Sequence, residues 1–191
     1  MNFSLKRQEL IETLSTLIKI VPNRTTLPIL STVFIKTTEK GLLFRTTDLE
    51  VDMEYIIKAD VLEEGEVCVP ISKFFEIANS IISDDLSINV NETQRMRIKT
   101  LTGKYTVVCQ KTDDYPEKRD LGENKLNISA NFLNESIKAT TYVCSKDELK
   151  PALNGVFFDI KTNSITAVAT DAHRLVRYIT KQKNKKTEQV L

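Results

Sequence analysis

Pro28-Ile29-Leu30-Ser31-Thr32-Val33-Phe34 decides how this sequence is organised, because it returns 123 residues later as Pro151-Ala152-Leu153-Asn154-Gly155-Val156-Phe157. Pro, Leu, Val and Phe keep their places. Working outward, Thr47-Asp48 is answered by Thr170-Asp171, Tyr55-Ile56 by Tyr178-Ile179 and Lys58 by Lys181. The match needs no gap, and nine positions between Pro28 and Lys58 are identical in register. Upstream, Leu10 matches Leu133 and Glu12 matches Glu135. Self-similarity at a fixed period marks a repeated structural unit. A chance likeness between two β-rich stretches would not hold register across the whole overlap. The period predicts one domain over residues 1–122 and the N-terminal part of a second over residues 123–191.

The first copy divides again. Phe3-Ser4-Leu5 reads as a strand. Over residues 6–20, Leu10, Ile11, Leu14, Leu17, Ile18 and Val21 recur at helical spacing. Ser4 is the expected N-cap and Pro22-Asn23 the stop. Strands are expected over 29–37, 42–47 and 49–59, with a turn at Lys40-Gly41. In the last strand Leu49, Val51, Met53, Tyr55 and Ile57 alternate with Glu50, Asp52, Glu54 and Lys58, which sets an acidic face. The second half repeats the order. It has a strand at 66–69 and a helix over 70–82 with Phe74, Phe75, Ala78 and Ile82 toward the core. Strands follow at 86–90, 96–101 and 105–110. The second copy opens the same way, with a strand at 126–128 and a helix over 131–143. The predicted class is α+β, built from repeated strand–helix–three-strand units.

Composition bounds the function. Hydrophobic residues make up 41% of the 191 and charged residues 28%, as in folded soluble proteins. No apolar run approaches the ~20 residues of a membrane helix. Met1-Asn2-Phe3-Ser4-Leu5-Lys6-Arg7 lacks a signal-peptide layout. Cys68, Cys109 and Cys144 are odd in number and form no CxxC pair, which points to reduced thiols in a cytoplasmic protein rather than zinc or disulfides. Net charge is +1, from 27 basic and 26 acidic residues. Proteins that grip many phosphates are strongly basic. Any nucleic-acid role therefore needs charge sorted by face.

His173 is the only histidine, and Asp171-Ala172-His173 raises the possibility of a metal-dependent phosphoesterase. Acid–base or metal chemistry needs converging groups. Asp84-Asp85 and Asp113-Asp114 fall in expected turns, and no nucleophile motif, phosphate loop or metal-spaced cluster appears. The sequence argues against an enzyme and implies no cofactor. Lys181-Gln182-Lys183-Asn184-Lys185-Lys186 is basic, but its pattern is that of a solvated loop.

Several motifs carry a resemblance. Arg24-Thr25-Thr26-Leu27-Pro28-Ile29-Leu30, Thr47-Asp48-Leu49-Glu50, Val69-Pro70-Ile71-Ser72-Lys73-Phe74-Phe75 and Asp114-Tyr115-Pro116 resemble the first domain of bacterial DNA sliding clamps, the beta subunit of DNA polymerase III. Leu153-Asn154-Gly155 and Val168-Ala169-Thr170-Asp171-Ala172-His173-Arg174-Leu175 resemble the second domain. The resemblance covers the whole chain and corresponds to the N-terminal half of the family protein.

The resemblance implies the DNA clamp fold, with helices lining a central channel and sheets outside. It implies a non-catalytic processivity factor that encircles double-stranded DNA and tethers the DNA polymerase III catalytic subunit. The clamp loader and repair proteins with short clamp-binding motifs are further implied partners. The full-length family is a homodimer, with no membrane association. Arg24 sits where the family contacts DNA; Arg7 and Lys73 lie on the expected helix faces, and Lys146 in the matching loop of the second copy. Leu153, Thr170, Ala172, His173, Arg174 and Leu175 match one wall of the family's partner-peptide groove. Tyr105 and Val107 are expected to point toward a partner subunit from the edge strand over 104–110. Ala172 stands where the family often has Gly, and Pro151-Ala152 where some relatives carry DNA-touching aromatics. The alternative is a truncated clamp-like module that binds partners without ringing DNA.

Overall fold

The computed structural model describes residues 1–22, 24–101, 103–118, 128–147, 149–161, 163–181 and 189–190. The expected strand at 126–128 falls largely, and the basic run at 181–186 almost wholly, outside them. Two compact units divide the chain, Met1–Asp120 and Leu121–Leu191.

In the first unit, β1 (Asn2–Lys6) leads into α1 (Arg7–Leu17). Four strands follow: β2 (Thr32–Thr38), β3 (Gly41–Thr47), β4 (Asp52–Ile57) and β5 (Asp60–Glu63). Then β6 (Glu66–Pro70) leads into α2 (Ile71–Ser80), followed by β7 (Asp85–Val90), β8 (Arg95–Lys99) and β9 (Lys104–Val108). Two antiparallel sheets result, ordered β5-β1-β7-β8-β9 and β4-β3-β2-β6. The halves exchange strands. β1 begins the first half but pairs with β7 of the second, and β6 begins the second but pairs with β2 of the first. Each helix follows its exchanged strand without a linker, and α1 packs against α2. Leu10, Leu14 and Leu17 lie on one helix face and are fully buried with Phe3, Phe44, Phe74 and Ile88.

Direct passage from β1 into α1 displaces the expected cap. Ser4 stays in the strand opposite Ser87, and Lys6 is the N-cap without a side-chain bond. The Arg7 N–H donates instead to the Asp84 carbonyl at 2.8 Å, so a neighbouring loop satisfies it. Other boundaries also move. Pro28–Ser31 is a 3-10 turn, so β2 starts later than expected. Leu49 has φ 78°, which breaks the expected strand over 49–59 and delays β4 to Asp52. α2 ends at Ser80 and the chain turns extended at Ile81. The change of period buries Ile81 and leaves Ile82 87% exposed, so Ile81 fills the core place expected of Ile82. The short edge strand β5 was not expected from the pattern.

In the second unit, α3 (Ala130–Thr140) is followed by β10 (Phe157–Ile160), β11 (Ser164–Thr170), β12 (Leu175–Lys181) and β13 (Gln189–Val190). The sheet order is β12-β11-β10-β13. Ser129 caps α3 by accepting the Phe132 N–H at 3.2 Å. Phe132, Ile160 and Ile165 form the core, with Ile128, Phe158 and Tyr178 against it. The helix expected to reach 143 tightens into a 3-10 turn over Thr141–Val143. At the 123-residue offset α3 overlays α1 and β11 overlays β3, end for end, and β13 falls on the start of β6.

Candidate functional site

Both units carry the same turn after their Thr-Asp pair, and it organises the candidate groove. In the second unit the Thr170 Oγ1 accepts the Ala172 N–H at 3.2 Å and donates to the Arg174 carbonyl at 2.7 Å. One Asp171 oxygen accepts the N–H groups of His173 at 3.0 Å and Arg174 at 2.9 Å. The other accepts Arg174 Nε at 3.0 Å. In the first unit Thr47 Oγ1 accepts the Leu49 N–H at 3.0 Å, and Asp48 Oδ1 accepts those of Glu50 at 2.9 Å and Val51 at 2.7 Å. The third residue of each pattern is left-handed, Leu49 at φ 78° and Ala172 at φ 76°. Thr-Asp is thus a turn signature in which side chains satisfy backbone donors.

This arrangement sets the chemistry of Asp171. Hydrogen bonds from the Arg174 and His173 N–H groups hold its carboxyl down to about 2. A carboxylate so low and so occupied is a poor general base at neutral pH. His173 is exposed. No group of three or more His, Cys, Asp or Glu suited to a metal occurs among the described residues. The geometry therefore does not support the phosphoesterase reading.

Around the turn, Leu175 is 63% exposed, His173, Arg174 and Ala172 are exposed, and Thr170 is half-buried. Arg174 also donates to the Tyr142 carbonyl at 3.4 Å, bringing in the end of the α3 segment. Tyr142, 62% exposed, is a residue the sequence reading missed. Leu153 is half-buried in the 3-10 turn begun by Pro151 and accepts the Ser145 N–H at 2.9 Å. On the outward face of the sheet, Phe157 opposes Val168, Val168 opposes Arg177, and Leu175 opposes Thr170. Phe157 and Ile179 are about half exposed there, so apolar surface extends beyond the residues the sequence singled out.

The corresponding face of the first unit is covered. Arg45, 7% exposed, holds Asp52 Oδ1 through Nε at 2.9 Å and Nη2 at 2.7 Å, and donates to the Pro116 carbonyl at 3.0 Å. The Tyr115 ring stacks on Phe34 and lies 5.6 Å from the guanidinium. Its hydroxyl donates to the Arg45 carbonyl, and burial raises its pKa. Lys118 pairs with Glu54. The expected acidic face is therefore largely neutralised: Asp52 and Glu54 are paired, and Glu50 lies in the turn before β4.

The basic residues separate into two groups. Arg24 and Lys146 are exposed and have no ion pair among the described residues. Lys73 is exposed but pairs with Glu76 at 3.2 Å. Arg7 is committed elsewhere. Its Nε and Nη2 donate to the Ala78 and Asn79 carbonyls at 2.9 and 3.1 Å, closing the end of α2. Half-buried, it ties the helices together and keeps only part of its side chain in solvent.

β9 ends its sheet, pairing only with β8 among the described residues. The expected outward pair is corrected. Val107 is 4% exposed and Tyr105 is half-buried against the core, whereas Lys104, Thr106 and Val108 face out. Strand alternation puts the two sets on opposite faces of the sheet.

Residues 1–119 match the family described as DNA polymerase III beta subunit, N-terminal domain, and residues 127–191 match DNA polymerase III beta subunit, central domain. Solved sliding clamps share the architecture. The DNA polymerase III subunit beta of Pseudomonas aeruginosa superposes with a TM-score of 0.93 at 26% identity, covering 100% of this chain and 52% of that one. The DNA polymerase sliding clamp of Bacillus subtilis gives 0.93 at 23% identity over the same shares, which speaks to fold alone. The chain belongs to the DNA polymerase III beta subunit family. The beta sliding clamp of Pseudomonas aeruginosa is 30% identical over 178 residues, 92% of this chain and 48% of that protein. That of Chlamydia muridarum is 27% identical over 179 residues, 93% and 49%. The chain spans about half the length of the curated relatives it matches.

Proposed function

We propose that this chain supplies the first domain and part of the second domain of a sliding clamp, a non-catalytic ring that encircles duplex DNA and tethers a replicative polymerase. The observation that carries this reading is the match of two successive clamp domains, in order, to the two units of the chain. The near-zero net charge supports it. A ring held by topology needs only weak, salt-sensitive phosphate contacts, since strong ones would have to break at every step of sliding. Arg24 and Lys146 are the residues proposed to make such contacts, with Lys73 secondary because Glu76 already engages it. Arg7 acts through α2.

The exposed turn Thr170–Leu175, with Leu153, is proposed as one wall of a groove for a short linear motif of the polymerase, the clamp loader or repair proteins. Leu175 supplies apolar surface and the rigid Asp171 turn fixes the neighbouring His173 and Arg174. The edge of β9 is proposed as a subunit contact made through its backbone, with Lys104, Thr106 and Val108 outermost. A cytoplasmic location accords with the absence, among the described residues, of a helix long and apolar enough to span a membrane.

The test loads the protein in its native assembly onto nicked circular duplex DNA and then linearises the DNA. Retention on the circle and loss on linearisation are expected. Equal retention on both forms contradicts encirclement, and peptide binding without retention on the circle identifies a partner-binding module instead. Replacing Arg24 with Ala should leave circle retention intact and lower the salt slope of direct DNA binding by about 1.

A further inference from the structure

Asn154 follows the 3-10 turn Pro151–Leu153, and the chain before that turn folds back on it. The Ser145 N–H donates to the Leu153 carbonyl at 2.9 Å, and the Leu153 N–H to the Lys150 carbonyl at 2.9 Å. The Lys150 N–H donates to the Asp147 carbonyl at 3.0 Å. The Asp147 N–H reaches Ser145 Oγ at 3.0 Å, and the Leu149 N–H reaches Asp147 Oδ1 at 3.1 Å. This folding gathers three backbone oxygens around one end of the Asn154 side chain. Its terminal atom lies 3.1 Å from the Ser145 carbonyl, 3.1 Å from that of Asp147 and 3.3 Å from that of Lys150. An oxygen there would meet three oxygens, so the atom is the amide nitrogen, and its two hydrogens serve three acceptors.

The first unit shows that the 3-10 turn alone does not need this arrangement. Ser31 stands 123 residues earlier, at the end of the matching turn Pro28–Ser31, and its hydroxyl donates to the Pro28 carbonyl at 2.6 Å. A hydroxyl closes the turn. The longer amide of Asn154 reaches back to the segment that carries Lys146.

We propose that Asn154 is a positioning residue, which gathers the Ser145, Asp147 and Lys150 carbonyls and so holds Lys146 in place for a DNA phosphate. The inference rests on the DNA contact proposed above for Lys146. That lysine lies between two of the gathered residues, is exposed and has no ion pair among the described residues. Lys150, by contrast, is drawn to Asp147 at 4.0 Å. A segment ordered before contact loses less conformational freedom when it binds. The place demands a donor. Aspartate has the shape of asparagine, but its carboxylate would face three carbonyl oxygens with no hydrogen to offer. Because Asn154 is exposed, its replacement bears on this segment and not on the core.

The test has one readout without DNA and one with it. In amide exchange, Asn154→Asp should lower protection about tenfold or more at Ser145, Asp147 and Lys150, with circular dichroism unaltered. Direct binding of duplex DNA by the protein in its native assembly is then compared between neutral Asn154→Ala and Lys146→Ala. Each should weaken binding about two- to tenfold, and the double variant should be no weaker than Lys146→Ala alone. Unchanged protection in Asn154→Asp overturns the proposal. So do additive losses in the double variant, or an Asn154→Ala that binds as the unsubstituted protein does while Lys146→Ala binds more weakly. If Lys146→Ala has no effect, the DNA contact fails and the role of Asn154 toward DNA fails with it, whereas lost protection in Asn154→Asp would still identify the residue that orders the segment.

Discussion

Leu10 and Leu133 occupy the same place in two copies of one helix, and their surroundings differ completely. Leu10 lies under α2 in a core that also holds Phe3, Phe44 and Phe74, whereas Leu133 keeps 39% of its surface in solvent. The sheets differ in parallel. Phe34 in β2 is stacked by Tyr115, and its counterpart Phe157 in β10 is 47% exposed. The same helix face is therefore buried in the first unit and partly exposed among the described residues of the second. Strand, helix and turn are local properties and recur in both units. Burial is supplied by the exchanged half and by the segment after β9.

The largest effects should separate the two copies by burial. Leu14→Ala should cost about 3 kcal/mol in denaturant unfolding, because it removes a fully buried side chain and leaves a cavity. Ile137→Ala at the matching place should cost under about 1 kcal/mol, because that side chain is 40% exposed. Equal losses would break the comparison. Next comes the covered face. Arg45→Met should cost about 2 kcal/mol, since it strips Asp52 of its partner and the Pro116 carbonyl of its donor. Arg177→Met at an exposed position of β12 should change unfolding little.

The turns give a smaller, pH-dependent signal. Asp171 is depressed from 3.8 to about 2, and Asp48 is also lowered by its bonds from the Val51 and Glu50 N–H groups. A depressed carboxyl contributes stability that is fully present above its ordinary value and is lost as pH falls through the folded one. The contribution of Asp171 should therefore fade between about pH 4 and pH 2. Thermal unfolding over that window should show a shallower pH dependence in Asp171→Asn than in the unsubstituted chain. The smallest effect belongs to Ala172→Gly. Relief of the left-handed backbone is offset by the entropy of glycine, so a stabilisation of no more than about 1 kcal/mol is expected in denaturant titration.

Much of this was legible in the sequence. Leu10, Leu14 and Leu17 announced α1, and the 123-residue repeat announced its counterpart α3. The Thr-Asp pairs were visible as motifs. Their geometry was not, because Leu49 and Ala172 take a conformation that glycine would have advertised. Strand exchange stayed hidden, since pairing between β1 and β7 depends on contacts some eighty residues apart. Charge misled at Arg7, whose guanidinium closes α2, and nothing in the pattern marked Arg45 as the residue over which the Tyr115 segment folds. On β9, Val107 and Val108 are both apolar, so alternation could not say which faced the core; packing chose Val107.

Hydrogen exchange of the 191-residue chain tests the contrast between the buried and the partly exposed helix face most directly. Amides around Leu10 and Leu14 should exchange only through global unfolding of the first unit, and those around Leu133 and Ile137 much faster through local opening. Protection in α3 as high as in α1 would contradict the account.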